Sequence, residues 1–489
     1  MSRLVVALDQ GSSSTRALAL SEKGRVLARA QTAVATRRPR AGWFEHDAAV
    51  LAAGAERILD EAVSAFSGKE IVGLGIAAQR STIVLWDAKT GKPLCPAFSW
   101  QDGRAADIVA PLQGRQEETH RVTGLYLTPF YSAPKIRWAL DNVPAVARAL
   151  EAGTLRAGPV STWLIWKLTR GESFVCDPSM AQRTLLLDLE TLDWSETMLA
   201  LFGIPREILP RLSPSASEVG VVKLGHRLLT ILASAGDQQA AALGLGGGAP
   251  GASVLNHGTG AFLLYNAGAQ PRRVPGLLTS IGWRVDDEKP CYLVEGTVHA
   301  AGTSFEWLRD NLGVLKKGAD VDRLCRASEH RLFALPAIGG LGAPRWDYRT
   351  PTTLYGLNSR TQPADVARAV TEGVGFLIAD IVAAMRAEGL SPSLARASGG
   401  LSRLDYLLQF EADVTRMTID RAEETEATAF GAASLAVEAA GDRDWAARLR
   451  RPKLGRTFTP RLDAGEAAAL SASWRKFVDA QAALARSLA

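Results

Sequence analysis

The sequence predicts an α/β protein of two domains, and two observations carry that prediction. The first is alternation. Short apolar runs such as Leu4–Leu8 (LVVAL), Ile71–Ala78 (IVGLGIAA) and Ser81–Trp86 (STIVLW) read as strands, and Ala-rich stretches between them read as helices. Over hundreds of residues, that pattern implies sheets covered by helices. The second is an internal echo. Val6–Leu20 (VALDQGSSSTRALAL) is an apolar run, a small polar turn and a second apolar run, and Ser253–Gly268 (SVLNHGTGAFLLYNAG) repeats that grammar. Between them, Gly244–Gly251 (GLGGGAPG) has the composition of a boundary, which divides the chain into residues 1–246 and 247–489. A chain of 489 residues has room for two large domains.

Individual elements follow from local chemistry. Asp47–Phe66 is amphipathic, and Asp47 is placed to cap its N-terminus. Gly246, Gly248 and Gly251 fit a GxGxxG dinucleotide pattern, but a helical run precedes them and a strand follows, the reverse of the order that fingerprint needs. They read as linker.

Bulk composition excludes several classes. The chain is 47% hydrophobic and 22% charged, with a net charge of +5, an ordinary globular mix. Its densest basic runs, Thr36–Arg40 and Arg448–Lys453, contain Pro and no interleaved aromatics, so nucleic-acid binding is not expected. Four cysteines without a CxxC pair argue for a reducing compartment and against zinc. No apolar run is long enough to span a membrane. The expectation is a cytoplasmic protein with a small-molecule substrate; whether it forms a homo-oligomer is left open.

Four stretches could carry chemistry. In the first turn, Asp9 could serve Mg²⁺, while Gly11, Ser12, Ser13 and Thr15 cradle phosphate and Arg16 adds charge. A plain hairpin with a solvated Asp would look similar, but the second copy, Gly258-Thr259-Gly260, suggests two hairpins clamping a triphosphate. In Ser234–Gly244 (SAGDQQAAALG), Asp237 opens a helix, as an N-cap or as a general base. Arg80, Trp100, Gln101 and Asp102 lie just beyond strand-like runs, where sheet proteins bind ligands, and an aromatic wall with an Arg suits a polyhydroxylated molecule. Gly399-Gly400 end an apolar run and open a helix, offering bare backbone to a flat base or simply turning the chain.

Together these stretches resemble the FGGY carbohydrate kinases. DQGSSSTR (Asp9–Arg16), GWFEHD (Gly42–Asp47), AGDQQAA (Ala235–Ala241), GTGAF (Gly258–Phe262), GLGAPRWD (Gly340–Asp347) and GGLSRLDYLLQF (Gly399–Phe410) occur in that family's order, closest in look to its glycerol kinase branch. The resemblance implies a two-domain actin-like ATPase fold, each domain with a ribonuclease-H-like core, closing over a cleft. It implies ATP-dependent phosphorylation of a hydroxyl on a small polyol or sugar. It implies Mg²⁺ associated with Asp9, phosphate loops at Gly11–Arg16 and Gly258–Gly260, an adenosine turn at Gly399 and Gly400, and Asp237 as the base. Arg80, Trp100, Asp237, Gln238 and Phe262 match substrate-contacting positions. Two such positions depart from the glycerol kinase pattern: Ser81 stands where Glu is usual, and Phe130 where Tyr is usual. Leu404-Asp405 also replaces a frequent Asn. The alternatives are a kinase of another polyol or ketose, such as xylulose, ribulose or erythritol, and an actin-like ATPase without sugar transfer.

Overall fold

The structure is a computed structural model and describes residues 3–66, 70–316 and 320–488. Two large mixed sheets organise it. The first has six strands in the order Ala216–Leu224, Arg227–Gly236, Ile71–Ala78, Leu4–Gln10, Ser14–Ser21, Val26–Ala33. The strand Leu4–Gln10 pairs antiparallel with Ser14–Ser21 and parallel with Ile71–Ala78, which in turn runs parallel to Arg227–Gly236. The second sheet has seven strands: Leu278–Trp283, Cys291–Val298, Ala261–Gly268, Ser253–His257, Leu394–Ser398, Thr418–Ala422, Leu454–Phe458. Its five strands from Cys291–Val298 to Thr418–Ala422 repeat the directions of their counterparts in the first sheet. Counting those five in chain order, each sheet reads 3-2-1-4-5. This is the duplicated ribonuclease-H-like core of the actin-like fold, and the two hairpins that echo in the sequence are strands 1 and 2 of each copy.

The run Leu4–Leu8 is apolar at every position because the strand is central and covered on both faces. Leu4, Val6 and Leu8 face the outer core of the first half, and Val5 and Ala7 face a core shared between the halves. That shared core holds two helices, Asp237–Gly244 and Ala427–Ala439, sandwiched by residues of both sheets, among them Leu18, Val254, Leu264 and Leu293. The helices meet almost backbone to backbone. A Cβ on Gly431 would stand 1.7 Å from the Ala240 carbonyl oxygen, and one on Gly244 2.0 Å from that of Ala427. A Cβ on Gly75, in the first sheet, would stand 2.1 Å from the Ala432 carbonyl oxygen. Bare backbone at these points lets one helix seat against both the other helix and the sheet.

Of two local readings, one holds and one is corrected. The helix after Asp47 runs Ala48–Ser64, and Asp47 caps it by accepting from the Ala49 and Val50 N–H groups, as the sequence predicts. The strand read at Ser81–Trp86 instead spans Ile83–Asp87, because Ser81 takes a left-handed backbone (φ 63°) and turns the chain before the strand begins. The strand Ile83–Asp87 belongs to a small sheet with Glu45–His46, Ala97–Phe98 and Leu155–Pro159, which sets the substrate side of the cleft. Among the described residues no helix is long and apolar enough to cross a membrane.

Candidate active site

Equivalent strands in two facing sheets end at one cleft, as the carboxyl ends of strands in α/β sheets characteristically do. In the first hairpin, the Gly11 N–H donates to the Ser14 carbonyl at 2.9 Å and closes the turn. Ser12 lines the cleft and Ser13 is exposed. Thr15 is corrected as a phosphate-facing side chain: it is buried, and its hydroxyl donates to Gln10 Oε1 at 2.9 Å, bracing the turn from behind. Arg16 lies 3.4 Å from Glu426, which also pairs with Arg29 at 2.8 Å. Arg16 therefore links the first hairpin to the helix Ala427–Ala439.

In the second hairpin, the Gly258 N–H donates to the Gly260 carbonyl at 2.8 Å. The Gly258 and Thr259 carbonyls accept from Gly302 and Thr303, the opening residues of the helix Gly302–Asp310. A Cβ on Gly302 would stand 2.6 Å from the Gly258 oxygen, so that approach also needs bare backbone. Gly399 has φ 92°, and a Cβ there would stand 2.3 Å from the His257 carbonyl oxygen. The Gly399-Gly400 turn is thus packed onto the root of the second hairpin.

Asp237 sits between the hairpins. Gly236 is the N-cap of its helix and Asp237 is the first helical residue, so the carboxylate is not needed as a cap. It accepts from the Gln238 N–H at 2.8 Å and lies 3.6 Å from Arg80 Nε. Burial raises the Asp237 pKa, and Arg80 and the Gln238 N–H restrain that rise. Asp9 is the penultimate residue of the strand Leu4–Gln10, which is separated from Arg227–Gly236 by the strand Ile71–Ala78. Burial, reinforced by the Asp237 charge, pushes its carboxyl up to about 7, and it makes no hydrogen bond or ion pair among the described residues. A buried carboxylate with no protein partner among the described residues, as Asp9 is, suits Mg²⁺, which takes one or two carboxylates and completes its shell with water and phosphate oxygens. No group of three or more acidic, His or Cys side chains among the described residues could hold a metal unaided.

The substrate side is built on a buried ion cluster spanning both halves. Arg80 grips Glu295 with two hydrogen bonds of 3.0 and 3.1 Å, and Arg183 donates to the same carboxylate and to Ser280. Burial alone would raise the Glu295 pKa, but the two guanidiniums reverse that and hold it at about 2. Gln238 accepts from Asn256 at 3.1 Å, a second link between the halves. The cleft encloses about 500 Å³. Trp100, Phe130 and Ser81 line it from the first half, and Phe262, Trp346 and Tyr348 from the second. The Ser81 carbonyl accepts from Lys135 Nζ at 2.8 Å; Lys135 is fully buried, and burial pulls its pKa down to about 7.

Of the residues expected at the site, the structure gathers Ser12, Arg80, Ser81, Trp100, Phe130, Asp237, Gln238, Gly258, Thr259, Gly260 and Phe262 around one cleft. Asp9, Gly11, Ser13, Thr15 and Arg16 lie beside or behind it, and Gly399 and Gly400 lie where the second loop is rooted.

Family comparison agrees with this geometry. Residues 4–244 match the N-terminal domain of the FGGY family of carbohydrate kinases, and residues 254–440 match its C-terminal domain. The chain belongs to the FGGY family of carbohydrate kinases. It is an ATP-dependent phosphotransferase acting on an alcohol group. It is 37% identical to a glycerol kinase of Bordetella parapertussis, covering 97% of this chain and 96% of that protein. It is 35% identical to a glycerol kinase of Lactococcus lactis, covering 97% and 98%. A crystal structure of Plasmodium falciparum glycerol kinase with ADP superposes with a TM-score of 0.92 at 29% identity, covering 98% of each chain.

Sequence reasoning missed Arg183, Glu295 and Tyr348 in this FGGY kinase, and left open which way Tyr131 points. Arg183 stands in a stretch with no turn or glycine signal and Glu295 inside a strand, and only their pairing across the halves gives them a role. Burial raises the Tyr131 pKa, and its hydroxyl faces Arg183, Glu295 and Arg80, where the neighbouring Phe130 has no polar atom to offer.

Proposed function

We propose that this kinase transfers the γ-phosphoryl group of ATP to a hydroxyl of a small polyol of the glycerol type. The observation that carries the reading is the place of Asp237: a buried carboxylate at a rigid helix start, between the two phosphate loops and the Arg80–Trp100 wall. The acceptor polyol is held there by hydrogen bonds from its hydroxyls to Arg80, Gln238 and Tyr131, with its CH groups against Trp100, Phe130 and Phe262. Asp237 accepts the hydroxyl proton as that oxygen attacks phosphorus in line. The backbone N–H groups of Ser12, Thr259 and Gly260 lie where they can meet charge on the transferring group, so positioning and electrostatics supply most of the acceleration. Gly399 and Gly400 offer their backbone to the adenosine. Asp9, with water, would hold Mg²⁺, which when bound neutralises phosphate charge.

A second reading is favoured by one position. Ser81 brings a short hydroxyl into the cleft where a longer acidic side chain would fill space and accept hydrogen bonds, so a longer polyol or a ketose fits the same machinery. A coupled ADP-release assay with Mg-ATP across glycerol, tetritols, pentitols and ketopentoses decides between them. Highest kcat/KM on glycerol supports the first reading, and turnover confined to longer compounds supports the second. ADP release that no acceptor stimulates overturns both.

A further inference from the structure

The two nucleotide-facing segments of the second half meet at one residue. His257 ends the strand Ser253–His257, directly before the loop Gly258–Gly260. Its carbonyl oxygen is the atom against which Gly399 packs. Its side chain points to the other side of that contact, into the core beneath the loop. There His257 Nε2 meets Glu411 Oε1 at 2.8 Å, and both side chains are wholly buried. Glu411 lies on the helix Asp405–Thr415, which follows the Gly399–Arg403 turn. The pair therefore ties the root of the phosphate loop to the helix that carries the adenosine turn.

Its surroundings argue against a role in stability alone. Among the described residues His257 Nδ1 and Glu411 Oε2 are both buried with no hydrogen-bond partner, on elements whose Leu255, Leu407 and Leu408 belong to the apolar core. A buried polar pair that leaves two atoms unpaired is generally less stabilising than apolar side chains of the same volume. What a 2.8 Å hydrogen bond supplies, and an apolar contact does not, is a fixed distance and direction between two elements.

We propose that His257 and Glu411 form a positioning strut that holds the Gly258–Gly260 loop in register with the Gly399–Gly400 turn, so that one nucleotide engages both at once. Neither residue touches the reacting atoms. The proposal rests on the assignment of these segments to phosphate and adenosine. A loosened strut leaves the adenosine turn intact and lets the phosphate loop drift.

The test compares nucleotides that reach the loop with one that does not. AMP and Mg-ADP binding to the full chain are measured by titration calorimetry for the parent, His257→Phe, Glu411→Gln, and the apolar double variant His257→Phe with Glu411→Met. The expected result is AMP affinity within about twofold of the parent, Mg-ADP affinity about tenfold weaker, and a double variant no worse than either single change. In turnover, kcat falls while the acceptor KM stays put. The apolar double variant should melt no lower than the parent, which separates positioning from folding and stands in if a single variant fails to fold. Mg-ADP affinity equal to the parent's in a folded variant, or AMP and Mg-ADP weakened alike, overturns the strut. A parent that binds no adenine nucleotide overturns the assignment beneath it.

Discussion

Asp237 must lose its proton to act as a base, and burial makes it hold that proton to a higher pH than an exposed carboxyl would. Turnover should therefore rise with pH along an acid limb displaced upward from the ordinary carboxylate range, measured as kcat/KM for the acceptor. Asp237→Asn should lower kcat by about 10²–10⁴-fold while Mg-ADP binding stays near the parent value, checked by ADP release and calorimetry. Asp9 poses a different competition. Burial pushes its carboxyl up to about 7, so at the proposed Mg²⁺ site protons and the cation would contend for it near neutrality. Apparent Mg²⁺ affinity in the presence of ADP should be weaker at about pH 6 than at about pH 8, and Asp9→Asn should flatten that difference. Asp9 and Asp237 were both legible from their turns. The direction of Tyr131 was not, because Phe130 and Tyr131 are adjacent and only the backbone decides which of them turns its tip toward the guanidiniums.

Among elements, the strand Cys291–Val298 bears the carboxylate that both guanidiniums of the first half need. Removing one partner of a buried ion cluster leaves uncompensated charge, so Glu295→Gln should cost about 3–5 kcal/mol in urea unfolding. The pH sign follows from its low pKa. The folded protein holds Glu295 ionised down to about 2, whereas the unfolded chain protonates it near 4.5. Its contribution is therefore complete above 4.5 and is lost as pH falls from there towards about 2. Glu295→Gln should lack that slope. The crossing of the helices Asp237–Gly244 and Ala427–Ala439 is the other exposed point. Gly431→Ala forces a methyl against the Ala240 carbonyl and should cost about 1–3 kcal/mol, read by the same unfolding. Gly114→Ala, which meets nothing within 4 Å, is the matched control. The sequence marked the first of these helices at Asp237. It could not mark the glycines at the crossing, since contacts across about two hundred residues leave no local pattern.

Across the whole molecule, the cleft belongs to neither half. Arg80 and Arg183 reach Glu295, Gln238 reaches Asn256, and Arg16 reaches Glu426, so the halves are joined by ion pairs and hydrogen bonds as well as by the shared apolar core. A nucleotide held at this junction stabilises the folded chain as one unit. With Mg-ADP at about a hundred times its Kd, the gain should be about 2.7 kcal/mol, appearing as a single shifted melting transition. A shift confined to one of two separate transitions would instead mean that only one half takes the nucleotide.

The amino-acid sequence by itself determined the α/β class, the duplicated Gly-turn hairpins and the place of Asp237 at a helix start, because each is written in a few consecutive residues whose turn, capping and alternation rules are local. Tertiary structure alone decided which side chains face the substrate. The Arg80–Glu295–Arg183 cluster, the inward turn of Thr15 and the meeting of His257 with Glu411 depend on how two sheets approach each other. That approach is set by packing between residues far apart in the chain.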